Sequence, residues 1–327
     1  MLWWLLRALG VLMVLTAIAL AMSRAPDRTV DSLVARWAPP PSDFIDVQGQ
    51  VVHVRDEGPR TDPLPVLLLH GTSASLHTWE GWVGALKRER RVITFDLPGF
   101  GLTGPFTGHY AGQSYRGDNY ARFVLDLADK LKVGRFVIGG NSLGGDVAWR
   151  VAALAPERVH QLVLVDAAGP AFVPPELPLG WRLARVPVLN RLFESLLPRS
   201  IVAEGVAMCY GDRKRITPGL VDRYFELALR EGNRRALMEG LRDWRPGEGA
   251  ERIASVRTPT LVIWGRRDRL IPLTVGEQFA RTILGSRLVI FDDLGHVPQE
   301  EDAARTVKPV RAFLGFLDQQ RDRKRAG

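Results

Sequence analysis

Cysteine and lysine are scarce in this chain of 327 residues, and the scarcity of cysteine excludes two kinds of site. The single cysteine, Cys209, cannot form an internal disulfide or a metal site built from several thiolates. Lysine occurs six times, against 38 arginines. The 32 glycines and 22 prolines follow no period, which excludes a collagen-like fibre. With 46% hydrophobic and 24% charged residues, the chain has enough apolar residues for a folded core and is not disordered.

Positive charge is concentrated at the two ends of the chain. The net charge is +8, of which residues 321–325 contribute +3 and the first 36 residues +2. The remaining +3 is spread over residues 37–320, so the body has no basic stripe of the kind that binds nucleic acid. We therefore expect no nucleic-acid partner, and we treat residues 321–327 as a basic tail.

The sequence begins with a long apolar segment. Arg7 is the only charged residue in the first 22, and a helix of that length spans about 33 Å, enough to cross the hydrocarbon core of a bilayer. The segment predicts a single-pass transmembrane helix over residues 1–22, in a bacterium an inner-membrane anchor. The side of the membrane that the body occupies stays open. A cleaved signal peptide is one alternative, because Ala19-Leu20-Ala21 matches a cleavage site, and a buried N-terminal helix is another.

Short apolar segments that alternate with helical stretches predict a mostly parallel β-sheet. Three prolines at 39–41 lie in a predicted linker over residues 23–43, and two alternating segments around residues 48–50 predict a hairpin. Continuous apolar strands are predicted at 66–70, 92–95, 136–139, 162–165, 261–264 and 288–291. Such strands are buried on both faces, so we predict an α/β fold in which helices flank the sheet.

The alternation of strands and helices stops between residues 169 and 259. This stretch has helical patterns at 183–197, 220–230 and 234–244 and no strong strand pattern. We predict a helical cap over residues 170–258, inserted before the last two strands, which divides the core into residues 44–169 and 259–320. Open α/β sheets bind ligands at the carboxyl edge of their strands, so the cap is expected to cover a site there.

The strongest motif is Gly-Asn-Ser-Leu-Gly at residues 140–144. It follows a strand and precedes a helical stretch, so it matches the G-x-S-x-G turn that presents a nucleophilic serine, here Ser142. The N–H groups at the start of the helix favour developing negative charge. We expect the N–H of Leu143 and that of Thr72, which lies just past the strand at 66–70, to form an oxyanion hole.

A histidine and an aspartate follow later strands. His296, after the last strand, is the predicted general base, and Asp268, after the strand at 261–264, is the predicted acid that orients it. Asp166, at the end of the strand at 162–165, is the competing acid. We expect His70 to be a structural histidine at a strand end.

Five short motifs together resemble those of α/β-hydrolase-fold serine hydrolases, from about residue 44 to residue 319. They are His-Gly-Thr-Ser at 70–73, Asp-Leu-Pro-Gly-Phe-Gly at 96–101, Gly-Asn-Ser-Leu-Gly-Gly at 140–145, Gly-Arg-Arg-Asp at 265–268 and Gly-His-Val-Pro at 295–298. The resemblance implies the α/β-hydrolase fold, a triad in the order Ser142, Asp268, His296, and a structural turn at 96–101. Epoxide hydrolases and haloalkane dehalogenases of this fold use an aspartate nucleophile, so Ser142 disfavours both. An anchor followed by a capped serine hydrolase also resembles membrane-bound monoacylglycerol lipases.

These features predict hydrolysis of carboxylic esters with apolar acyl groups through an acyl-enzyme. The expected partners are a small apolar ester and, through residues 1–22, a membrane; no metal or organic cofactor is expected. The first alternative is a carbon–carbon bond hydrolase of the meta-cleavage type, which shares the fold and triad and often has asparagine at the position of Asn141. A cofactor-free perhydrolase and a non-catalytic ligand-binding protein on the same fold are the others.

Overall fold

In the computed structural model, which describes residues 2–184 and 195–326, the core is an eight-stranded sheet. The strand order is β1-β2-β4-β3-β5-β6-β7-β8; β1 and β2 form an antiparallel hairpin, β2 is antiparallel to β4, and the other pairs are parallel. The strands are β1 (Ser42–Val47), β2 (Gln50–Glu57), β3 (Val66–Leu69), β4 (Val92–Phe95), β5 (Phe136–Asn141), β6 (Val159–Val165), β7 (Thr260–Gly265) and β8 (Arg287–Phe291). The predicted mostly parallel sheet is therefore confirmed.

Helices cover both faces of this sheet. Every residue of β3, β4, β5 and β7 is buried, which explains why these strands are continuously apolar. Separate clusters of buried side chains lie on the two faces, one containing Phe136, Trp149 and Trp264, the other Trp79 and Trp82. The helices of the core are α3 (Glu80–Leu86), α4 (Gly117–Lys130), α5 (Leu143–Leu154), α10 (Leu273–Thr282), α11 (Pro298–Glu301) and α12 (Ala303–Ala326), the last of which contains most of the basic tail.

The described part of the cap region between β6 and β7 consists of helices joined by loops. Its helices are α6 (Leu179–Ala184), α7 (Arg199–Cys209), α8 (Pro218–Ala228) and α9 (Asn233–Asp243). Helix α8 begins at a proline, and the Thr217 side chain accepts a hydrogen bond from the N–H of Leu220 at 3.1 Å, which caps the helix. The predicted helix at 183–197 falls mostly on residues 185–194, outside the described residues. The helix α7 was not predicted.

The segment predicted as a linker, residues 23–43, is partly helical and packs on the body. Its helix α2 (Val30–Trp37) buries Leu33 completely in a cluster with Leu102 and with Leu227 of α8. The Trp37 indole N–H donates to Glu226 Oε2 at 2.7 Å. Residues 30–37 have the apolar spacing of a helix, although the three prolines that follow indicate a linker. The contacts of Leu33 and Trp37 hold α2 against the cap.

Residues 2–22 form one helix, α1 (Leu2–Met22), in which many described apolar side chains are exposed. Arg7 lies over the Trp3 ring, 3.3 Å from its centroid, and places a charge within this apolar surface. No helix in residues 2–184 or 195–326, as far as they are described, is long and apolar enough to cross a membrane. The structure thus does not support the predicted transmembrane helix at residues 1–22.

Candidate active site

Ser142 occupies the sharp turn between β5 and α5. Its backbone has φ 54° and ψ −118°, a left-handed conformation that is strained for a residue with a side chain. The turn requires glycine on both sides of the serine. A Cβ on Gly140 would lie 2.0 Å from the oxygen of Gly144, and one on Gly144 would lie 2.2 Å from the oxygen of Leu69. The sequence therefore allows Ser142 to stand at the carboxyl edge of the sheet, at the start of α5.

His296 and Asp268 meet at the same edge, in the loops after β8 and β7. His296 Nδ1 lies 2.7 Å from Asp268 Oδ2, and both residues are buried. The other oxygen of Asp268, Oδ1, accepts from the N–H groups of Leu270 at 2.7 Å and Ile271 at 3.0 Å. These bonds fix the carboxylate, which in turn fixes the tautomer of the imidazole, so Nε2 is left to face the cavity.

The competing acid, Asp166, lies beside Asp268 and is not hydrogen-bonded to the histidine. Its Oδ1 accepts from the N–H of Gly265 at 3.0 Å, and its side chain is fully buried. Burial and the negative charge of Asp268 raise the pKa of Asp166 well above its ordinary value. Burial beside a second carboxyl group therefore favours the protonated form of Asp166.

The two predicted oxyanion donors border the cavity that contains Ser142. Helix α5 begins at Leu143, so the N–H of that residue has no acceptor within the helix. Thr72 lies in the loop after β3 and lines the cavity together with Ser142 and His296. The site thus has a strained serine, a histidine held by a carboxylate, and two loops that can supply main-chain N–H groups.

His70 and Asp96 belong to a separate buried network. His70 Nδ1 donates to the main-chain oxygen of Gly71 at 2.7 Å, and its Nε2 accepts from the N–H of Leu97 at 2.9 Å. Burial lowers the pKa of His70, although the charge of Asp96 opposes the effect. Both ring nitrogens are occupied, so this histidine ties the loop after β3 to the loop after β4.

The cavity around Ser142 has two lobes, which share Thr72, Ser142, Trp181, Leu237, Leu270 and His296. The lobe between α4, α5 and α9, here called the polar lobe, is lined by many aromatic and aliphatic side chains and also by charged ones such as Arg116, Asp146, Arg150 and Glu248. The lobe bordered by α7, here called the apolar lobe, is lined by Ile201, Val202, Gly205, Val206, Cys209 and Met238 among others. Burial, with the nearby charge of Asp268, raises the pKa of the Cys209 thiol to about 12, so this thiol is not a second nucleophile.

One group of possible metal ligands occurs in the described part of the chain, and it lies within the site. Ligand atoms of Asp166, Asp268 and His296 lie within 4.8 Å of one another. Asp268 and His296 already bind each other through one of these atoms each, and burial raises the pKa of Asp166. A carboxyl group with a raised pKa and a histidine nitrogen that donates to a carboxylate are poor metal ligands, so these residues fit a hydrogen-bonded network better than a metal centre.

The fold and this constellation define a hydrolase. The chain belongs to the alpha/beta hydrolase fold family, whose model matches residues 65–303. It is 30% identical over 263 residues to 2-hydroxymuconate semialdehyde hydrolase of Pseudomonas sp. (strain CF600), an alignment that covers 78% of this chain and 88% of the relative.

Two solved structures are similar over most of the chain. A meta-cleavage product hydrolase from Pseudomonas fluorescens IP01 superposes with a TM-score of 0.70 at 25% identity and covers 84% of this chain and 98% of its own. A bacterial membrane phospholipase A has the same TM-score and identity but covers 96% of both chains. A meta-cleavage product hydrolase and a phospholipase A therefore share this architecture.

Sequence reasoning did not identify Glu301 as part of this region. Its buried carboxylate accepts a hydrogen bond from the N–H of Gly295, directly before His296, at 2.8 Å. In the sequence, Glu301 stands in an acidic run with Glu300 and Asp302, which is typical of a solvated helix start. Two features of the sequence could have indicated this contact. Glu301 lies close to the histidine motif, and Pro298 begins a short helix that turns back on the loop.

Proposed function

We propose that the protein hydrolyses carboxylic esters with an apolar acyl chain, through an acyl-enzyme on Ser142. His296 accepts the serine proton as the hydroxyl attacks the ester carbonyl, and Asp268 stabilises the imidazolium that forms. The N–H groups of Thr72 and Leu143 hold the oxyanion. His296 then returns its proton to the leaving alcohol and activates the water that releases the acid.

The observation that carries the ester proposal is the composition of the apolar lobe. Its α7 side contributes aliphatic side chains and the exposed edge of Gly205, a surface suited to a hydrocarbon chain. Two of the cationic side chains in the polar lobe are paired with carboxylates: Arg150 binds Asp118 at 2.8 Å and Asp146 at 2.9 Å, and Arg116 binds Glu248 at 2.9 Å. A substrate with an apolar chain and an uncharged reacting group fits these surroundings.

A carbon–carbon bond hydrolase is the second candidate, because the relatives include hydrolases of a muconate semialdehyde and of meta-cleavage products. A dienoate substrate carries a carboxylate that needs a cationic partner. Arg245 lines the polar lobe and donates to the main-chain oxygens of Arg242 at 2.6 Å and Trp244 at 3.1 Å. Its guanidinium is the group that would bind such a carboxylate.

Substrate profiling of the full chain distinguishes the two candidates. We expect turnover of a p-nitrophenyl ester series, acetate to palmitate, with a preference for a chain longer than acetate and loss of activity in Ser142→Ala. A 2-hydroxy-6-oxo-dienoate is assayed in parallel with wild type and Arg245→Gln. Turnover of the dienoate alone, with a KM raised in Arg245→Gln, would replace the ester proposal by the carbon–carbon one.

We further propose that α1 keeps the protein at a lipid surface. Trp3, Trp4, Leu6, Leu9 and Leu12 are each more than half exposed, a costly arrangement for apolar side chains in water. An ester with a long acyl chain would partition into the same lipid. The test is flotation with phosphatidylcholine vesicles: we expect the full chain to float, Leu9→Asp combined with Leu12→Asp to remain in the dense fraction, and Val173→Asp, at an exposed position on the body, to float. Flotation of the double variant would refute this proposal.

A further inference from the structure

The end of the cap helix α7 lies directly against the loop that contains His296. The main-chain N–H of His296 donates to the oxygen of Cys209, the last residue of α7, at 2.7 Å. A Cβ on Gly211 would lie 2.4 Å from the oxygen of Asp293, and one on Gly295 would lie 2.4 Å from the oxygen of Cys209. Two backbone segments, one from the cap and one from the catalytic loop, therefore touch at a distance that only glycine permits.

The Glu301 carboxylate joins these two segments. Its Oε2 accepts from the N–H groups of Gly295 at 2.8 Å and Gly211 at 3.0 Å, and its Oε1 accepts from the N–H of Asp212 at 2.8 Å. Glu301 is 6% exposed, so water does not compete effectively for these bonds. Hydrogen bonds to an ionised acceptor are stronger than neutral ones, and here three of them hold the cap and the catalytic loop to one side chain.

The helix that ends at this junction is also a wall of the apolar lobe. Val202, Gly205, Val206 and Cys209 of α7 line the lobe. A chain bound there packs against α7, and the last turn of α7 is bonded to the N–H of His296. The position of the imidazole thus depends on how α7 is held, through contacts that bypass Asp268.

We propose that Glu301 is a positioning residue that couples occupation of the apolar lobe to the placement of His296. A long acyl chain fixes α7, and Glu301 passes this constraint to Gly295 and so to the catalytic histidine. The inference rests on the proposed function in one respect, namely that the apolar lobe binds the chain of the substrate. Through this coupling, kcat increases with the length of the acyl chain, in addition to any increase in affinity for the substrate. The reason is that a small misplacement of a reacting group is costly in rate.

The neighbouring residue Glu300 provides a matched control. Its carboxylate binds Arg223 and the hydroxyl of Tyr224, the latter at 2.8 Å, both on α8. Glu300→Gln therefore weakens a contact between cap and core of similar burial but leaves the junction between α7 and the His296 loop intact.

The first test compares Glu301→Gln with Glu300→Gln on p-nitrophenyl acetate and octanoate, with kcat and KM measured separately. In Glu301→Gln an amide N–H₂ replaces one acceptor oxygen and faces main-chain N–H groups, so at least one bond is lost. We expect kcat for octanoate to fall by about 10- to 100-fold, while KM changes by less than about threefold. The ratio of kcat for octanoate to kcat for acetate should therefore fall towards one. Glu300→Gln should keep the wild-type ratio. An unchanged ratio in Glu301→Gln, or an equal loss in both variants, would overturn the proposal.

A second variant and a measurement on the wild-type chain cover the case in which Glu301→Gln does not fold. Gly211→Ala keeps Glu301 but places a methyl group against the backbone at Asp293. In this variant too, the ratio of kcat for octanoate to kcat for acetate should fall towards one.

In the wild type, Ser142 is labelled with an ethyl or a decyl fluorophosphonate. The serine oxygen bonds to phosphorus, fluoride leaves and the proton goes to His296. Amide hydrogen exchange should then slow in residues 209–212 and 293–297 with the decyl adduct more than with the ethyl one. Equal protection by the two adducts would overturn the coupling. If the wild type labels but cleaves no ester, the proposed function fails while the coupling is still judged by exchange.

Discussion

Asn141 Nδ2 donates a hydrogen bond to the main-chain oxygen of His296 at 2.8 Å and another to that of Val165 at 3.1 Å. The residue before Ser142 therefore holds the backbone of His296. Asn141 is buried, so these bonds are shielded from water. The Asn141 bond holds the main-chain oxygen of His296 and the bond to Cys209 holds its N–H, so the peptide groups on both sides of the histidine Cα are fixed.

Replacing Asn141 by alanine should loosen the histidine loop and leave the main-chain oxygen of His296 without this donor, whereas the oxygen of Val165 keeps the N–H of Ser142. We expect a loss of about 1–3 kcal/mol in the free energy of unfolding and a fall in kcat of about tenfold. Urea denaturation and ester kinetics provide the two measurements. Asn119→Ala, which removes a half-buried asparagine bound to Ser114, serves as the control. A kcat equal to that of wild type would show that Asn141 does not position His296.

The sheet and the meeting of Ser142, Asp268 and His296 at one edge could be predicted because each rests on local patterns in the sequence. The strand β5 is six buried residues, and Gly140 and Gly144 flank Ser142 at positions where a Cβ would clash with the backbone. The carboxyl ends of parallel strands meet at one edge of a sheet, so residues after β5, β7 and β8 were expected to meet. Their order in the chain then sufficed to place Ser142, Asp268 and His296 together.

The residues that the sequence could not identify act through contacts that local patterns do not encode. Glu301 reads as part of an acidic helix start, because nothing nearby shows that its carboxylate faces the main chain of a distant cap helix. Leu33 lies in a segment whose prolines indicate a linker, and its burial depends on Leu227, nearly 200 residues later. Asp166 and Asp268 both follow strands; the sequence favoured Asp268 as the acid, and the hydrogen bond to His296 is on Asp268.

Asparagine substitutions at the two aspartates should have opposite consequences for catalysis. In Asp268→Asn the amide cannot accept at both of its polar atoms, so the imidazole loses the partner that selects its tautomer; we expect kcat to fall by about 10³- to 10⁴-fold. Because burial favours the protonated form of Asp166, Asp166→Asn should keep kcat within about threefold. The measurement is ester turnover by both purified variants, with circular dichroism as a check of folding. A large loss in Asp166→Asn would mean that this carboxyl takes part in the reaction.

Asp166 should also make stability depend on pH. Burial and the charge of Asp268 raise its pKa in the folded protein, so the folded state keeps a proton that the unfolded chain releases above about pH 4. The contribution of Asp166 to the free energy of unfolding is complete below that pH. It is lost as the pH rises towards the raised pKa, by up to about 1.4 kcal/mol per pH unit. Asp166→Asn removes this loss. We expect the variant to gain stability over wild type progressively from pH 4 to pH 8 in urea titrations, while the exposed Asp31→Asn should show no such trend. A constant difference would mean that Asp166 is ionised in the folded protein.

Gly205 is the position at which the length of the apolar lobe can be changed with least disturbance. It lies within α7 and lines the lobe, and a Cβ built there meets no atom within 4 Å. Gly205→Leu should fill part of the lobe, so we expect the preferred acyl chain in the p-nitrophenyl series to shorten and kcat/KM for palmitate to fall at least tenfold, with acetate unaffected. Gly205→Ala is the matched control: it should stabilise α7 by up to about 1 kcal/mol without a change in chain preference. If Gly205→Leu cleaves long and short esters in the wild-type ratio, the acyl chain lies elsewhere, and the polar lobe becomes the place to look for it.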